Sequence, residues 1–102
     1  MPMLYFTQII FIKPGMEEQF LQFEAHVLPL LKKYNGTLDY RVRPSSNAVI
    51  ETVIGEPYEI HICTFPTKDD FVAYSKDPER LNYLHLKEAS IDKAILVEGK
   101  LL

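Results

Sequence analysis

The sequence predicts an α+β fold in which two β-α-β halves share one antiparallel sheet. Apolar runs rich in β-branched and aromatic residues alternate with stretches of helical period. The order is strand, helix, strand, arm, strand, helix, strand. All of it fits within 102 residues, the length of a single domain spanning residues 1–102.

The first strand is Leu4 to Ile12 (LYFTQIIFI), ended by Lys13-Pro14-Gly15. Leu4, Phe6, Ile10 and Ile12 lie on one alternating face and Tyr5, Ile9 and Phe11 on the other. A strand wetted on one side alternates more cleanly, so this one is expected to be covered on both. Met16 to Tyr34 has helical period, with Met16, Phe20, Phe23, Val27, Leu31 and Tyr34 in one stripe. Glu17 and Glu18 in its first turn and Lys32 and Lys33 in its last suit the helix dipole. Asn35-Gly36 supplies a left-handed stop. Pro29 removes the hydrogen bond to the Ala25 carbonyl, so a kink is expected there while the stripe continues in phase.

Thr37 to Arg43 sets Leu38, Tyr40 and Val42 against Thr37, Asp39, Arg41 and Arg43, a half-polar strand ended by Pro44. A Pro-Ser-Ser-Asn loop follows, and Val49 to Ile54 reads as a short strand or an arm before the turn at Gly55-Glu56-Pro57. Tyr58 to Phe65 (YEIHICTF) is the third main strand. Thr67 is a plausible N-cap for a helix from Lys68 to about Lys76, with Asp69 and Asp70 in the first turn. Asp77-Pro78 breaks it and opens a second piece to about Ser90, with Leu81, Leu84 and His85 on its inner face. Ala94 to Val97 centres a last strand that runs to about Leu101.

This order suggests the split-βαβ, ferredoxin-like fold, an antiparallel sheet with both helices on one side. The helices then leave the second sheet face bare, although the first, third and last strands are apolar on both faces. Pairing of two copies, sheet against sheet, is the simplest cover, which makes a homodimer and a dimeric α/β barrel the expected assembly.

Composition narrows the function. The net charge of −3, with basic residues not grouped into one patch, argues against nucleic-acid binding. Cys63 is the single cysteine, so neither an intrachain disulfide nor a Cys-cluster zinc site is available. No apolar run reaches the ~18 residues that would suggest a membrane span. No basic segment leading into an apolar core and a cleavage site opens the chain, so a cytoplasmic location is expected. The histidines His26, His61 and His85 are too widely spaced for an H-x-x-x-H pair, so no metal is expected. Nucleotide-binding glycine loops, the G-x-S-x-G elbow and the EF-hand loop are absent, and no cofactor is expected.

Four stretches taken in order carry a family resemblance: Val27-Leu28-Pro29-Leu30-Leu31-Lys32-Lys33-Tyr34-Asn35-Gly36, Phe65-Pro66-Thr67, Asp77-Pro78-Glu79 and Leu96-Val97-Glu98-Gly99. The chain resembles, from about Tyr5 to Gly99, a family of small stand-alone dimeric α/β-barrel proteins of unknown function. That family is related in fold to the antibiotic-biosynthesis monooxygenases. The resemblance implies a ferredoxin-like protomer that pairs through its sheet. It also implies a pocket between sheet and helices, where relatives bind small, often aromatic molecules. Lys87 stands where the family pattern usually has Arg, keeping the charge but losing the planar fork. The haem-degrading relatives use a tryptophan, and this chain has none.

Several residues are candidates for chemistry. His61, mid-strand among Ile60, Ile62 and Cys63, reads either as a satisfied core or interface histidine or as a general base in a pocket. His85 is a second candidate for proton transfer, with a plain helix-flank position as its alternative. Cys63 and His61 share a strand face and could form a thiolate pair, although a buried inert thiol is the simpler reading. Tyr40 and Arg41 are candidates for substrate binding, Arg41 and Arg43 otherwise forming an ion-pair ladder with Asp39. Lys87 and Glu98 complete the set, Glu98 pairing with Lys87 or an arginine or, as the alternative, serving as a catalytic base. The expected function is that of a homodimeric protein with a small-molecule pocket. It would be a cofactor-independent oxygenase or isomerase acting on an aromatic or carbonyl compound, with His61 or His85 moving a proton. The ligand would be a small aromatic or carboxylate compound. The alternative is a non-catalytic metabolite-binding or interaction module.

Overall fold

A computed structural model describes residues 3–102. The chain runs β1 (Leu4–Ile12), α1 (Glu17–Val27), a 3₁₀ helix (Leu28–Tyr34), β2 (Thr37–Val42), β3 (Glu59–Phe65), α2 (Lys68–Ser75), α3 (Pro78–Asn82), α4 (Leu84–Ser90) and β4 (Ile91–Gly99). The strands form one sheet in the order β2-β3-β1-β4, and each neighbouring pair is antiparallel. This is the α+β, ferredoxin-like architecture that the strand and helix order predicts.

Register assigns the two sheet faces. Phe6 pairs with Cys63, Gln8 with His61 and Ile10 with Glu59, so these six side chains share the face under the helices. Phe6 and Phe65 meet Phe23, Val27, Leu30, Leu31 and Tyr74 there in one core cluster. The opposite face holds Ile9 and Ile60, which pair with each other, Ile62 opposite Tyr40, Val42 opposite Ile60, and Ile95 opposite Ile9. Tyr40, Val42, Ile95 and Val97 are exposed, and among the described residues no helix covers them.

The helix expected from Met16 to Tyr34 changes its winding instead of kinking. Its α-helical part ends at Val27, and Pro29 falls at the start of the 3₁₀ segment, where a missing N–H breaks no ladder. Leu30 and Leu31 stay buried, so the stripe survives the change. The left-handed stop is Asn35, at φ 62°, and not Gly36. Gly36 serves a close approach: a Cβ there would sit 2.6 Å from Cε1 of Phe65 and 3.1 Å from the Leu31 carbonyl oxygen.

Val49 to Ile54 forms no strand. Thr52 Oγ1 accepts hydrogen bonds from the N–H groups of Ile54 and Gly55 and folds the segment into a turn. Ile50 and Val53 are 99% exposed on the resulting arm. The late helix splits into α3 and α4 at Tyr83, and Leu81 and His85 face solvent while Leu86 packs against the core. The last strand starts at Ile91, earlier than its apolar centre suggests, and the second ends at Val42.

Candidate functional site

A cavity of about 110 Å³ lies between the sheet and the helices. Phe6, Ile10, Phe23 and Phe71 give it apolar walls, and the polar side chains that line it include Gln8, Glu24, His61, Arg80 and Lys87.

Glu24 comes from α1. It follows Phe20 by four residues and precedes Val27 by three, so the turn that buries those two buries the carboxyl with them. Only 4% of the residue is exposed. Burial pushes its carboxyl up to about 7, against the opposing pull of Arg41. Oε2 lies 3.8 Å from Nδ1 of His61, just beyond hydrogen-bond reach.

His61 is held from its other side. Its Nε2–H donates to Oε1 of Glu59 across 2.7 Å. Glu59 and His61 are two residues apart on β3 and therefore point the same way. Glu59 also accepts from Nε of Arg41 at 2.8 Å and from a terminal nitrogen of Arg43 at 2.5 Å. Burial alone would raise the Glu59 carboxyl, but the hydrogen bonds from Arg41, His61 and Arg43 hold it down at about 2. An ionised Glu59 fixes the proton of His61 on Nε2 and turns Nδ1 toward Glu24.

Two cations line the same cavity and draw on the Glu24 carboxyl. Burial lowers the Lys87 ammonium, and Arg80 beside it lowers it further. Arg80 sits between aromatic rings, its guanidinium carbon 5.6 Å from the centre of Phe23 and 5.2 Å from that of Tyr74. Its position follows from the start of α3, where Oδ1 of Asp77 accepts from the N–H groups of Glu79 and Arg80 at 2.8 and 3.1 Å. Tyr34 and Lys33 donate to the other Asp77 oxygen and hold that carboxyl well below the usual range.

Of the residues singled out from sequence, His61 and Lys87 line the cavity. Arg41 does not reach it and instead braces Glu59, so the expected ladder of Arg41 and Arg43 forms on Glu59 and not on Asp39. Tyr40 is 63% exposed on the opposite sheet face, paired with Ile62. The bulge between Leu38 and Tyr40 separates the two by shifting the register. His85 is exposed on α4, outside the cavity lining. Glu98 ion-pairs with Lys68, not with Lys87 or an arginine. Burial pushes the Cys63 thiol up to about 12, so it is no ready thiolate.

Glu24, Glu59 and Arg80 were not singled out by sequence reasoning. A signal existed for the first two. Glu24 is a carboxylate set within a helical apolar stripe, and Glu59 shares a strand face with His61 through period two. Arg80 carried none, because its inward direction depends on where Asp77 caps α3. Among the described residues, no three His, Cys, Asp or Glu side chains gather where they could hold a metal ion.

No family model matches the sequence, and no curated protein matches it. Solved structures do. A protein of unknown function from Rhodopseudomonas palustris is similar with a TM-score of 0.83 and 14% identity, over 99% of this chain and 83% of that one. A dimeric ferredoxin-like protein of unknown function from Jannaschia sp. CCS1 is similar with a TM-score of 0.71 and 20% identity, over 97% and 99%. The hydroxynitrile lyase of Passiflora edulis is similar with a TM-score of 0.74 and 14% identity, over 99% and 94%. At these identities the likeness is one of fold: this chain shares the small ferredoxin-like architecture of proteins described as dimeric.

Proposed function

We propose that the protein is a homodimeric enzyme that moves a proton at a carbon beside a carbonyl group, an isomerase-type reaction needing no cofactor. The observation that carries this reading is the buried Glu24 carboxyl, held near 7 and open to an apolar cavity. A group with that value exchanges a proton readily at neutral pH in either direction. Glu24 takes the proton from carbon, the substrate becomes an enolate, and Glu24, its proton exchanged with solvent, then returns a proton to the enolate carbon or to the carbon conjugated with it. Lys87 lines the same cavity and stabilises the enolate oxygen as charge develops. His61, tied to Glu59, keeps a fixed dipole beside Glu24 and steers the carboxyl. The hydroxynitrile lyase among the structural neighbours supports an enzymatic use of the fold.

The homodimer rests on the bare sheet face. Tyr40, Val42, Ile95 and Val97 form an apolar surface that two copies can bury against each other. Neighbours described as dimeric support that assembly.

The chemistry is tested by deuterium exchange. Small aldehydes, ketones and 2-oxo acids are incubated with the protein in D₂O, and loss of the α-proton signal is followed by NMR. At least one compound should exchange faster than its protein-free control, and Glu24→Gln should remove at least 100-fold of that excess, in the usual range for general acid–base catalysis. No excess on any compound, or equal excess with Glu24→Gln, overturns the proposal.

A further inference from the structure

We infer that the cavity takes a small monocarboxylate, with Arg80 as the anchor for its carboxylate group and Lys87 as the second cation. This inference rests on the reading of the cavity as a ligand site, and is independent of the proton transfer assigned to Glu24.

The first observation is an orphan donor. Nε of Arg80 is buried and has no hydrogen-bond partner. The guanidinium reaches the Tyr74 hydroxyl and makes a long hydrogen bond of 3.4 Å from a terminal nitrogen to the Ser75 carbonyl oxygen, and neither contact uses Nε. A buried N–H of a charged group is costly to leave unpaired, and an arginine has five such donors in a planar fork. Phe23 and Tyr74 lie 5.6 and 5.2 Å from the guanidinium carbon of Arg80, and the buried Nε is left for a ligand.

The second observation is charge. Among the described residues, neither Arg80 nor Lys87 makes a salt bridge, whereas Arg41 and Arg43 both close on Glu59. The one carboxyl that lines the cavity is Glu24, and burial drives it toward its neutral form. While Glu24 keeps its proton, the cavity therefore holds positive charge that no described side chain neutralises, and an anionic ligand completes it.

Size and wall chemistry choose the anion. A carboxylate offers two coplanar oxygens that match the arginine fork. The rest of the ligand meets Phe6, Ile10 and Phe71, so it is apolar and unsaturated or aromatic. A volume of about 110 Å³ suits a short chain or a single ring and not a hydrated phosphate ester.

Affinity for such an anion depends on Glu24. Around its carboxyl stand Arg41 from β2, Glu59, His61 and Cys63 from β3, Tyr74 from α2, Arg80 from α3 and Lys87 from α4. Once Glu24 ionises it competes with the ligand for Arg80 and Lys87. Binding is then accompanied by proton uptake, and affinity falls as pH rises through about 7.

The experiment is calorimetric titration of crotonate and benzoate against crotonamide and benzamide, at pH 6 and pH 8. At pH 6 at least one acid should bind at least tenfold more tightly than its amide, and its affinity should drop about three- to tenfold by pH 8. Arg80→Met should weaken the acid at least tenfold while leaving the amide within twofold, and Arg80→Lys should recover part of the loss. Glu24→Gln should bind the acid with little change between the two pH values. Acid and amide binding alike to the unmodified protein, or no acid binding at all, overturns the inference without any variant having to fold. Neither probe has an exchangeable proton beside a ketone, so their binding stands or falls apart from the exchange reaction.

Discussion

Nδ1 of His61 and Oε2 of Glu24 face each other across 3.8 Å, one from the middle of β3 and one from α1. Each is buried, yet their other surroundings differ sharply. His61 leans on an ionised Glu59 that two arginines hold in place. Glu24 has the apolar cavity on its open side. One carboxyl is held at about 2 and the other at about 7 within the same site. Environments that push two like groups apart are what separates a structural acid from a chemical one.

Glu24 should therefore make the protein less stable as pH rises. Its value in the folded chain, about 7, lies above the ordinary 4.5. Below 4.5 both folded and unfolded chains hold the proton, and the group has no net effect. Between 4.5 and 7 the unfolded chain releases it first, so folding weakens with pH, and above 7 the whole penalty is present. Glu24→Gln removes the titration. Urea unfolding should show the variant more stable than the parent by about 1–3 kcal/mol at pH 8 and nearly equal at pH 4. A variant that is less stable at pH 8 would show that the ionised carboxyl has a partner after all.

Glu59 should behave in the opposite sense. Its folded value of about 2 lies below 4.5, so its contribution is complete above 4.5 and is lost as pH falls through about 2. Glu59→Gln leaves Arg41 and Arg43 without their carboxylate, but their side chains are 37% and 50% exposed and water rehydrates them. The loss is thus smaller than for a wholly buried pair, about 2 kcal/mol at pH 7. The gap between parent and variant should narrow steadily from pH 5 to pH 2 in the same unfolding assay.

Gly36 tests the packing under the site. A methyl group there would meet the ring of Phe65 at 2.6 and 2.9 Å. That ring is 1% exposed and is wedged among Phe6, Phe71 and Tyr74, so it has no room to retreat. Gly36→Ala should cost about 1–3 kcal/mol by chemical denaturation, the usual penalty for overpacking. Asn35→Gly should be near neutral, because the cap rests on a left-handed backbone and a backbone N–H that glycine also supplies.

Much of the fold was legible because it follows from short-range rules. Strand periodicity in Leu4–Ile12, the breaks at Pro44 and Pro66 and the cap at Thr67 each act within a few residues. The site was less legible because its members converge from far apart. His61 stood out as a titratable side chain between Ile60 and Ile62, but its meaning depends on Glu24, 37 positions earlier on a helix. Arg41 carried the right charge but turned to Glu59. Tyr40 was lost to the other face by the bulge at Leu38/Tyr40, which no residue of that strand announces. Arg80 needed the Tyr34–Asp77 contact, made between segments 43 residues apart, before its direction was defined.

The bare sheet face gives the last prediction. Val97 lies near the centre of β4, opposite Thr7, and is 51% exposed with no helix above it. Its neighbours Ile95 and Ile9 are apolar as well, so the surface gains by being buried in a second copy. Light scattering at micromolar concentration should give about twice the 11.8 kDa chain mass. Val97→Asp puts a charge into that contact while leaving the helix-side core untouched. It should yield a monomer at the same concentration, with far-ultraviolet circular dichroism unchanged at low temperature. The variant should also unfold at a lower temperature than the parent, and its midpoint should no longer rise with protein concentration, since only an assembling species gains stability by mass action. A parent protein that scatters as a monomer would mean that water, and not a second copy, covers the sheet.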